Sequence, residues 1–265
     1  MQLFTSPQPA NSNNFSVNFA QNLSEIREAQ ALRYQVFALE MGATLDTDIP
    51  NYDIDLYDNY CHHLLARDLV TQQVVGYTRI LTCDQIGLAG GFYSSSEFDL
   101  SPIRKLSGRF MEIGRTCVHA DYRNKPIIHL LWASLAKFMV SQQFDYLMGC
   151  ASIPLPSDDY LPLFDELLQR HAHPSVQVTP RVPLIRGAIS QDNEQEIPPL
   201  LKAYLRLGVQ ICGEPCWDEN FKVADLFILL DKANLQQRYL KHFIQRAEAS
   251  ASHPASAVSF HEVAA

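Results

Sequence analysis

Hydrophobic and polar positions divide this chain into stretches of period two and period three to four. Phe15 to Ala20 alternates as a strand does. Asn22 followed three positions later by Glu25 has the form of a capping box and predicts a helix to about Glu40. Its apolar stripe, Ile26, Ala29, Val36 and Phe37, also contains Arg33 at helical spacing. An arginine there either snorkels to the rim or is paired inside, since an unpaired buried charge costs several kcal/mol. The loop that follows contains candidate partners: Asp46, Asp48, Asp53, Asp55 and Asp58 fall within thirteen positions. By themselves they would read as a solvated acidic loop. His62 to Arg67 and Val74 to Thr82 predict a hairpin turning at Thr71-Gln72-Gln73. Arg79 shares a face with Val75, Tyr77 and Leu81, a second arginine in an apolar alternation.

Gly87 to Ser96 reads as a flexible loop and Ile103 to Leu106 as a short helix or turn. Met111 to Val118 is strand-like. Pro126 opens an amphipathic helix carrying Ile127, Ile128, Leu131, Leu135 and Phe138, to about Gln143. Asp145 to Ile153 is an apolar run of strand length. Strand, loop, helix and parallel strand make a crossover unit, and its first loop is the natural ligand mouth. A helix over Asp158 to His171, a proline-punctuated strand region to Ile189 and a polar link at 190–197 follow. Pro199 to Leu207 predicts a helix closed by Gly208. Val209 to Cys212 and Val223 to Leu230 complete the sheet, and Lys232 to Arg246 is a last helix. The reading is one α/β domain over 15–246, with a disordered arm at 1–14 and an Ala/Ser-rich tail at 247–265.

Composition narrows the class. The chain has 265 residues, 47% hydrophobic and 19% charged, which is ordinary globular material. It has no apolar run long enough to span a bilayer. Gln2 to Asn14 has neither the basic nor the apolar region of a secretory leader. The six cysteines sit singly, as reduced thiols in a cytoplasm would. A formal charge of −8 argues against a nucleic-acid partner.

The chemistry concentrates between Met111 and Arg123. In a regular strand Glu112 and Arg115 point to opposite faces. A one-residue bulge would bring them to the same face, and Gly114 between them tolerates one. A bulged strand also leaves N–H groups free to hold a carbonyl oxygen. The loop from Val118 to Pro126 ends at a helix N-terminus, where backbone N–H groups favour an anion, and Arg123, Asn124 and Lys125 lie there. His63 and Asp68 match a His-x4-Asp acyltransferase pattern, but without the later element that accompanies it. Cys61, His62, His63, Cys212 and Cys216 lack the paired spacing of a zinc site, so no metal is predicted. Cys117 and Cys150 read as buried thiols in adjacent strands.

Glu112-x-x-Arg115, Arg33-x-x-Val-Phe37, Asp55-x-x-Asp58 and Arg79 together resemble the invariant set of acyl-homoserine-lactone autoinducer synthases. A closer resemblance is to the ornithine acyl-carrier-protein N-acyltransferase family, sometimes labelled hemolysin-like. It is carried by RYQVFALEMGA, YDNYCHHLLARD, GGFYSSSEFDLS, EIGRTCVHADYR, LLWASLAKF, YLMGCASI and ICGEPCWD, from about residue 15 to 245. The resemblance implies a GNAT-type fold: a twisted mixed sheet, helices on both faces and a splayed strand pair at the active site. It further implies transfer of a fatty or 3-hydroxy fatty acyl group from acyl carrier protein to the α-amine of ornithine, toward a lyso-ornithine lipid. The donor would be the acyl-phosphopantetheine of the carrier, with no separate cofactor. Glu112 would be the base, and Arg33, Arg79, Arg115, Asp55 and Asp58 would shape the acceptor pocket. Arg123, Asn124, Lys125, Arg104 and Lys105 would face the carrier. Lys125-Pro126 stands where coenzyme-A-binding relatives carry a glycine-rich loop, and His62 replaces an acidic residue. The expected location is cytoplasmic, with peripheral membrane contact through the lipid product. The rival readings are a synthase with another acceptor and a non-catalytic membrane-active protein.

Overall fold

The computed structural model describes residues 14–155, 161–184 and 197–235. The polar link (its last residue apart), the last helix beyond residue 235 and the tail lie outside them, as does the arm but for its last residue. Within them the order is β1 (Phe15–Phe19), α1 (Leu23–Tyr34), β2 (His62–Asp68), β3 (Val74–Thr82), α2 (Ile86–Ala89) and β4 (Phe98–Asp99). Then come β5 (Phe110–Val118), α3 (Ile127–Ser141), β6 (Tyr146–Pro154), α4 (Leu161–His171) and β7 (Thr179–Pro180). The last are α5 (Pro199–Arg206), β8 (Gln210–Ile211), β9 (Cys216–Asp218) and β10 (Val223–Asp231).

One mixed sheet runs β1-β2-β3-β5-β6-β10-β8, with β9 also on β10. The pairings are antiparallel except β5 with β6, the parallel pair joined through α3. The 62–82 hairpin and this crossover agree with the sequence reading. Asn22 caps α1 by accepting the Glu25 amide at 3.0 Å, and α1 continues as π-type turns over Gln35–Glu40. The Glu25 carboxylate, however, reaches Gln21 N at 2.6 Å rather than the cap's own amide.

Helices cover both faces. Ile127, Leu131 and Leu135 of α3, Phe164 and Leu167 of α4, and Leu201 and Tyr204 of α5 pack on one side against Leu64, Ile113, Leu147 and Ile228. On the other side Ala29, Leu32, Val36 and Phe37 pack on Leu65, Tyr77 and Cys117. Further along that second side, Phe98, Leu100, Ile103 and Val176 cover Met148, Phe227 and Leu229. Between these last two apolar clusters the sheet carries polar side chains. No helix among the described residues is long and apolar enough to cross a membrane.

Two departures from regular pairing define the middle of the sheet. β5 and β6 pair only from Phe110↔Tyr146 to Ile113↔Gly149 and then part. A Cβ on Gly149 would lie 2.5 Å from the Ile113 carbonyl oxygen, so the last paired position needs glycine. On the other edge of β5, Arg79 opposes Gly114 but Tyr77 opposes Cys117, so β5 holds one extra residue there. Arg115 takes up that bulge with φ +52°. The sequence pointed to Gly114 as the tolerant residue; the left-handed conformation falls on Arg115 itself.

Gly76 lets α3 approach the sheet, because a Cβ there would lie 2.3 Å from Ile127 Cγ2. Gly76→Ala should lower stability by about 1–3 kcal/mol through overpacking. Combined with Ile127→Ala, which removes Cγ2, the loss in urea denaturation should be smaller than the sum of the two single losses. Additive losses in the double variant would show that the two side chains do not compete.

Candidate active site

Arg33 lies on the apolar stripe of α1 and is fully buried. Its Nε meets Asp53 Oδ2 at 2.8 Å and its Nη1 meets Asp58 Oδ1 at 2.6 Å. From β3, Arg79 Nη1 reaches Asp58 Oδ1 at 2.8 Å and Asp55 Oδ1 at 2.5 Å. From the β5 bulge, Arg115 Nε reaches Asp53 Oδ2 at 3.1 Å and Nη2 lies 3.4 Å from Asp55 Oδ2. Each carboxylate therefore bridges two arginines, and the six residues close into one alternating ring. Three positive and three negative charges cancel within it. Burial alone would raise the pKa of Asp55 and Asp58; Arg79 and Arg115 for the first, Arg33 and Arg79 for the second, outweigh burial and hold both below the usual range.

Aromatic faces and local caps support the ring. Arg33 lies over Tyr77 at 5.6 Å, Arg79 over Tyr57 at 5.5 Å, and Arg115 over Tyr93 at 5.3 Å and Phe221 at 4.5 Å. Asp55 and Asp58 make a capping box for the 3₁₀ turn Leu56–Tyr60. Gln30 Nε2 donates to Asp58 Oδ2 at 2.9 Å. Asp53 and Gln30 are additions to the predicted set. Asp53 was visible only as one member of the acidic loop, whose other two, Asp46 and Asp48, stay outside the ring.

Glu112 faces the same side as Arg115, as a bulge requires: Tyr93 touches both. The Glu112 carboxylate accepts Tyr93 N at 2.7 Å, Ser94 N at 2.8 Å and Ser94 Oγ at 2.5 Å. The stretch Gly87 to Ser96, expected to be flexible, is thus anchored on Glu112 through the turn Tyr93–Ser96. Two backbone amides and one hydroxyl aimed at a buried carboxylate overrode its loop-like composition. Burial raises the pKa of Glu112, against the opposing pull of those three hydrogen bonds. A cleft lined by Tyr57, Cys61, Arg79, Leu81, Tyr93, Glu112, Ile113 and Gly114 opens beside it, with room for about one water.

Beyond Tyr93 lies a second polar group that the sequence reading missed. Glu97, Asp218 and Asp225 each bring one carboxylate oxygen within 4.8 Å of the others. Ser152 Oγ donates to Asp225 Oδ1 at 2.6 Å, and Cys150 Sγ lies 3.3 Å from Ser94 Oγ. Burial first, and the neighbouring acids with it, raise the pKa of Glu97 and Asp225 above the usual range. The signal was the one that marked Arg33: Asp225 is a charge inside an apolar run, and Glu97 and Asp218 fall in two of the quoted motifs.

The predicted cationic patch divides. Arg104 and Lys105 are exposed at the start of β5, roughly 30 Å along this nine-residue strand from the loop after its end. They do not share a mouth with Arg123 and Lys125. Arg109 pairs with Asp84 over Phe144, and Arg115 is committed to the ring. At the entry to α3, Arg123 pairs with Glu40, Asn124 is exposed and Lys125 is half-buried. His63 and Asp68 have separate partners. His63 bonds Tyr77 OH and the Asp58 carbonyl; Asp68 accepts from Tyr122 OH and the Val70 amide. All six cysteines are free, and burial pushes Cys117 up to about 12.

Arg33→Lys keeps the charge but cannot bridge Asp53 and Asp58 in the same fork. Its unfolding free energy should drop by about 1–3 kcal/mol in denaturant titration. An unchanged midpoint would detach Arg33 from the ring's stability. The two depressed carboxylates contribute stability that is present above their unfolded pKa, near 4, and lost as pH falls below it. The raised acids Glu97, Asp225 and Glu112 act in the opposite sense, costing stability as pH rises from about 4 upward. The unliganded protein should therefore melt higher near pH 5 than near pH 8, and Glu97→Gln should shrink that difference. A melting temperature that rises steadily to pH 8 would contradict the assignment.

Residues 32–133 match the acetyltransferase (GNAT) domain family. The chain is 32% identical over 249 residues to the L-ornithine N(alpha)-acyltransferase of Rhizobium meliloti (strain 1021), covering 87% of this chain and 84% of that one. It is 32% identical over 251 residues to the enzyme of the same name from Brucella abortus (strain 2308), covering 86% and 88%. Among solved structures it resembles the CoA-dependent acyl-homoserine lactone synthase BjaI, with TM-score 0.51, 16% identity and coverage of 85% and 82%. The acyl-homoserine-lactone synthase LasI gives TM-score 0.51, 14% identity and coverage of 84% and 95%. These structural likenesses establish the fold. The ring, the parted strands and the sequence relatives agree: the chain is an acyltransferase of GNAT fold and belongs to the L-ornithine N(alpha)-acyltransferase family.

Proposed function

We propose that this protein transfers a fatty or 3-hydroxy fatty acyl group from acyl carrier protein to the α-amine of L-ornithine, forming a lyso-ornithine lipid precursor. The observation that carries the reading is the parting of β5 from β6 directly after Glu112 and Ile113. Past Ile113 the edge of β5 that faces β6 has no ladder partner, which leaves room and backbone donors for a thioester carbonyl. One such donor to a tetrahedral oxyanion contributes about 3 kcal/mol in other acyl-transfer enzymes. The acceptor is supported by the names of the relatives and by the charge of the site.

Arg115 is the ring member placed to meet an amino-acid carboxylate. Its Nη1 has no hydrogen bond or ion pair among the described residues, and its side chain is 13% exposed. Arg33 and Asp58 are sealed, so they position Arg115 and Arg79 rather than touch substrate. The α-amine must lose a proton before or during attack. Glu112 lines the cleft, and a water there can relay that proton to it. The three hydrogen bonds on Glu112 keep its carboxylate in place while burial raises its basicity. The reaction balances without a further cofactor: thioester and amine become amide and thiol. Arg123, Asn124 and Lys125, at the start of α3, suit the single phosphate of a phosphopantetheine arm better than a nucleotide, because no glycine there lets the backbone approach a pyrophosphate. An acidic carrier would approach this end of β5, away from Arg104 and Lys105.

Purified protein with acyl carrier thioester should release thiol only when ornithine is present; ornithine-independent release or none at all would contradict the reading. Glu112→Gln should reduce kcat about 10²–10⁴-fold and flatten the rise of kcat/KM with pH. A pH profile unchanged in Glu112→Gln would leave Glu112 as the anchor of the Tyr93–Ser96 turn alone. Arg123→Glu with Lys125→Glu should raise KM for the carrier far more than for ornithine, and added salt should weaken the wild type more than the variant. Equal use of acyl-coenzyme A and acyl carrier protein would overturn the donor assignment and leave the acceptor chemistry standing.

A further inference from the structure

The acid cluster beyond Tyr93 is unlike the ring. Asp218 and Asp225 come from β9 and β10, and Glu97 from the segment that Glu112 anchors. Glu97 is 8% exposed, yet neither of its carboxyl oxygens has a well-formed hydrogen bond, the Tyr93 hydroxyl and the Cys150 thiol being the donors beside it. Buried carboxyl oxygens without a well-formed hydrogen bond are rare in folded proteins and costly to keep. No lysine or arginine among the described residues pairs with any of the three acids, and the nearby Arg115 is committed to Asp53 and Asp55. Among the described residues the cluster therefore lacks a cation of the kind that balances the ring.

Its position says what that cation is for. Cys150 and Ser152 lie on β6 just past its last pairing with β5, and they reach Ser94 and Asp225 respectively. The cluster thus borders the β6 side of the opening, as the arginine ring borders the β5 side. Tyr93 lies between them: its amide is on Glu112, its ring is under Arg115, and its hydroxyl is affected by Glu97 and Asp218. We infer that Glu97, Asp218 and Asp225 form the subsite for the side-chain ammonium of the acceptor, with Glu97 as its innermost ligand. The inference rests on the ornithine reading above and accounts for its selectivity. The acceptor would lie across the opening with its carboxylate toward Arg115 and its far amine among the acids. An ammonium group offers three N–H donors, matching one oxygen from each acid. A divalent cation would need further oxygens, from water, to complete its shell beyond these three.

Binding then carries a signature. In the free protein burial and mutual repulsion keep a proton on the Glu97–Asp225 pair. The groups facing that pair are Asp218, Cys150, Tyr93, Ser152, Glu112 and Arg115, and only Arg115 is positive. An arriving ammonium lowers both pKa values and expels the proton.

The test compares L-ornithine with L-norvaline, which lacks only the terminal amine. Titration calorimetry on the full-length wild-type protein, without donor and in buffers of different ionisation enthalpy, should show ornithine binding at least about 30-fold tighter. It should also show a proton released with ornithine and not with norvaline. Glu97→Gln and Asp225→Asn should each bring ornithine toward the norvaline affinity and collapse the kcat/KM ratio of the two acceptors. Two results would overturn the subsite while the acyltransferase reading stood: ornithine acylated by a wild type that binds norvaline equally well, or a preference that survives both substitutions. Stabilisation by magnesium, calcium or manganese that Glu97→Gln abolishes, with no ornithine preference, would make the cluster a metal site instead. A wild type that acylates no ornithine would remove the proposed function itself. Should either variant fail to fold, the wild-type calorimetry decides alone.

Discussion

The ring of Arg33, Asp53, Arg115, Asp55, Arg79 and Asp58 is the constraint on which the active side of the sheet depends. Six charges lie under one helix, where any one left alone would cost several kcal/mol. Because each carboxylate holds two guanidiniums, no member can move without exposing the charge of two others. Such a network contributes little net stability over a well-packed apolar core, since desolvation offsets most of the attraction. What it contributes is position. It ties α1, the 53–58 segment, β3 and β5 at one point, and it holds Arg115 in the left-handed conformation that makes the bulge.

From that point the polarity of the site follows. The bulge turns Arg115 onto the face of Glu112, and Glu112 draws in Tyr93 and Ser94. That in turn places Glu97 against the acids of β9 and β10. The β5 side of the opening is therefore lined by balanced charge, with Arg115 Nη1 free among the described residues on a side chain 13% exposed. The β6 side has uncompensated acid. Glu112, the base in the proposed reaction, lies between the two. A small zwitterion with an extra cationic end complements this arrangement, and a neutral amino acid complements only half of it.

Much of the fold was legible because hydrophobic periodicity survives packing: the 62–82 hairpin, α3 and the 146–154 strand appear within a residue or two of their predicted bounds. Charges inside apolar stripes singled out Arg33 and Arg79, which had no solvated alternative once their faces were buried, and the family resemblance singled out Asp55 and Asp58 among the five acids of the loop. Three things could not be read from local pattern. The Gly87–Ser96 segment has the composition of a mobile loop, and only the tertiary approach of Glu112 orders it. Asp53 was indistinguishable from Asp46 and Asp48 until the chain folded back on α1. The grouping of Arg104 and Lys105 with Arg123 took nearness in sequence for nearness in space, which an extended strand defeats.

The most direct test of this polarity is a crystal structure of the protein with L-ornithine bound. The α-carboxylate should lie on Arg115, the α-amine at the parting of β5 and β6 beside Glu112, and the side-chain ammonium within hydrogen-bond distance of Glu97. Ornithine in the reverse direction, or held away from both the ring and the acids, would contradict the account.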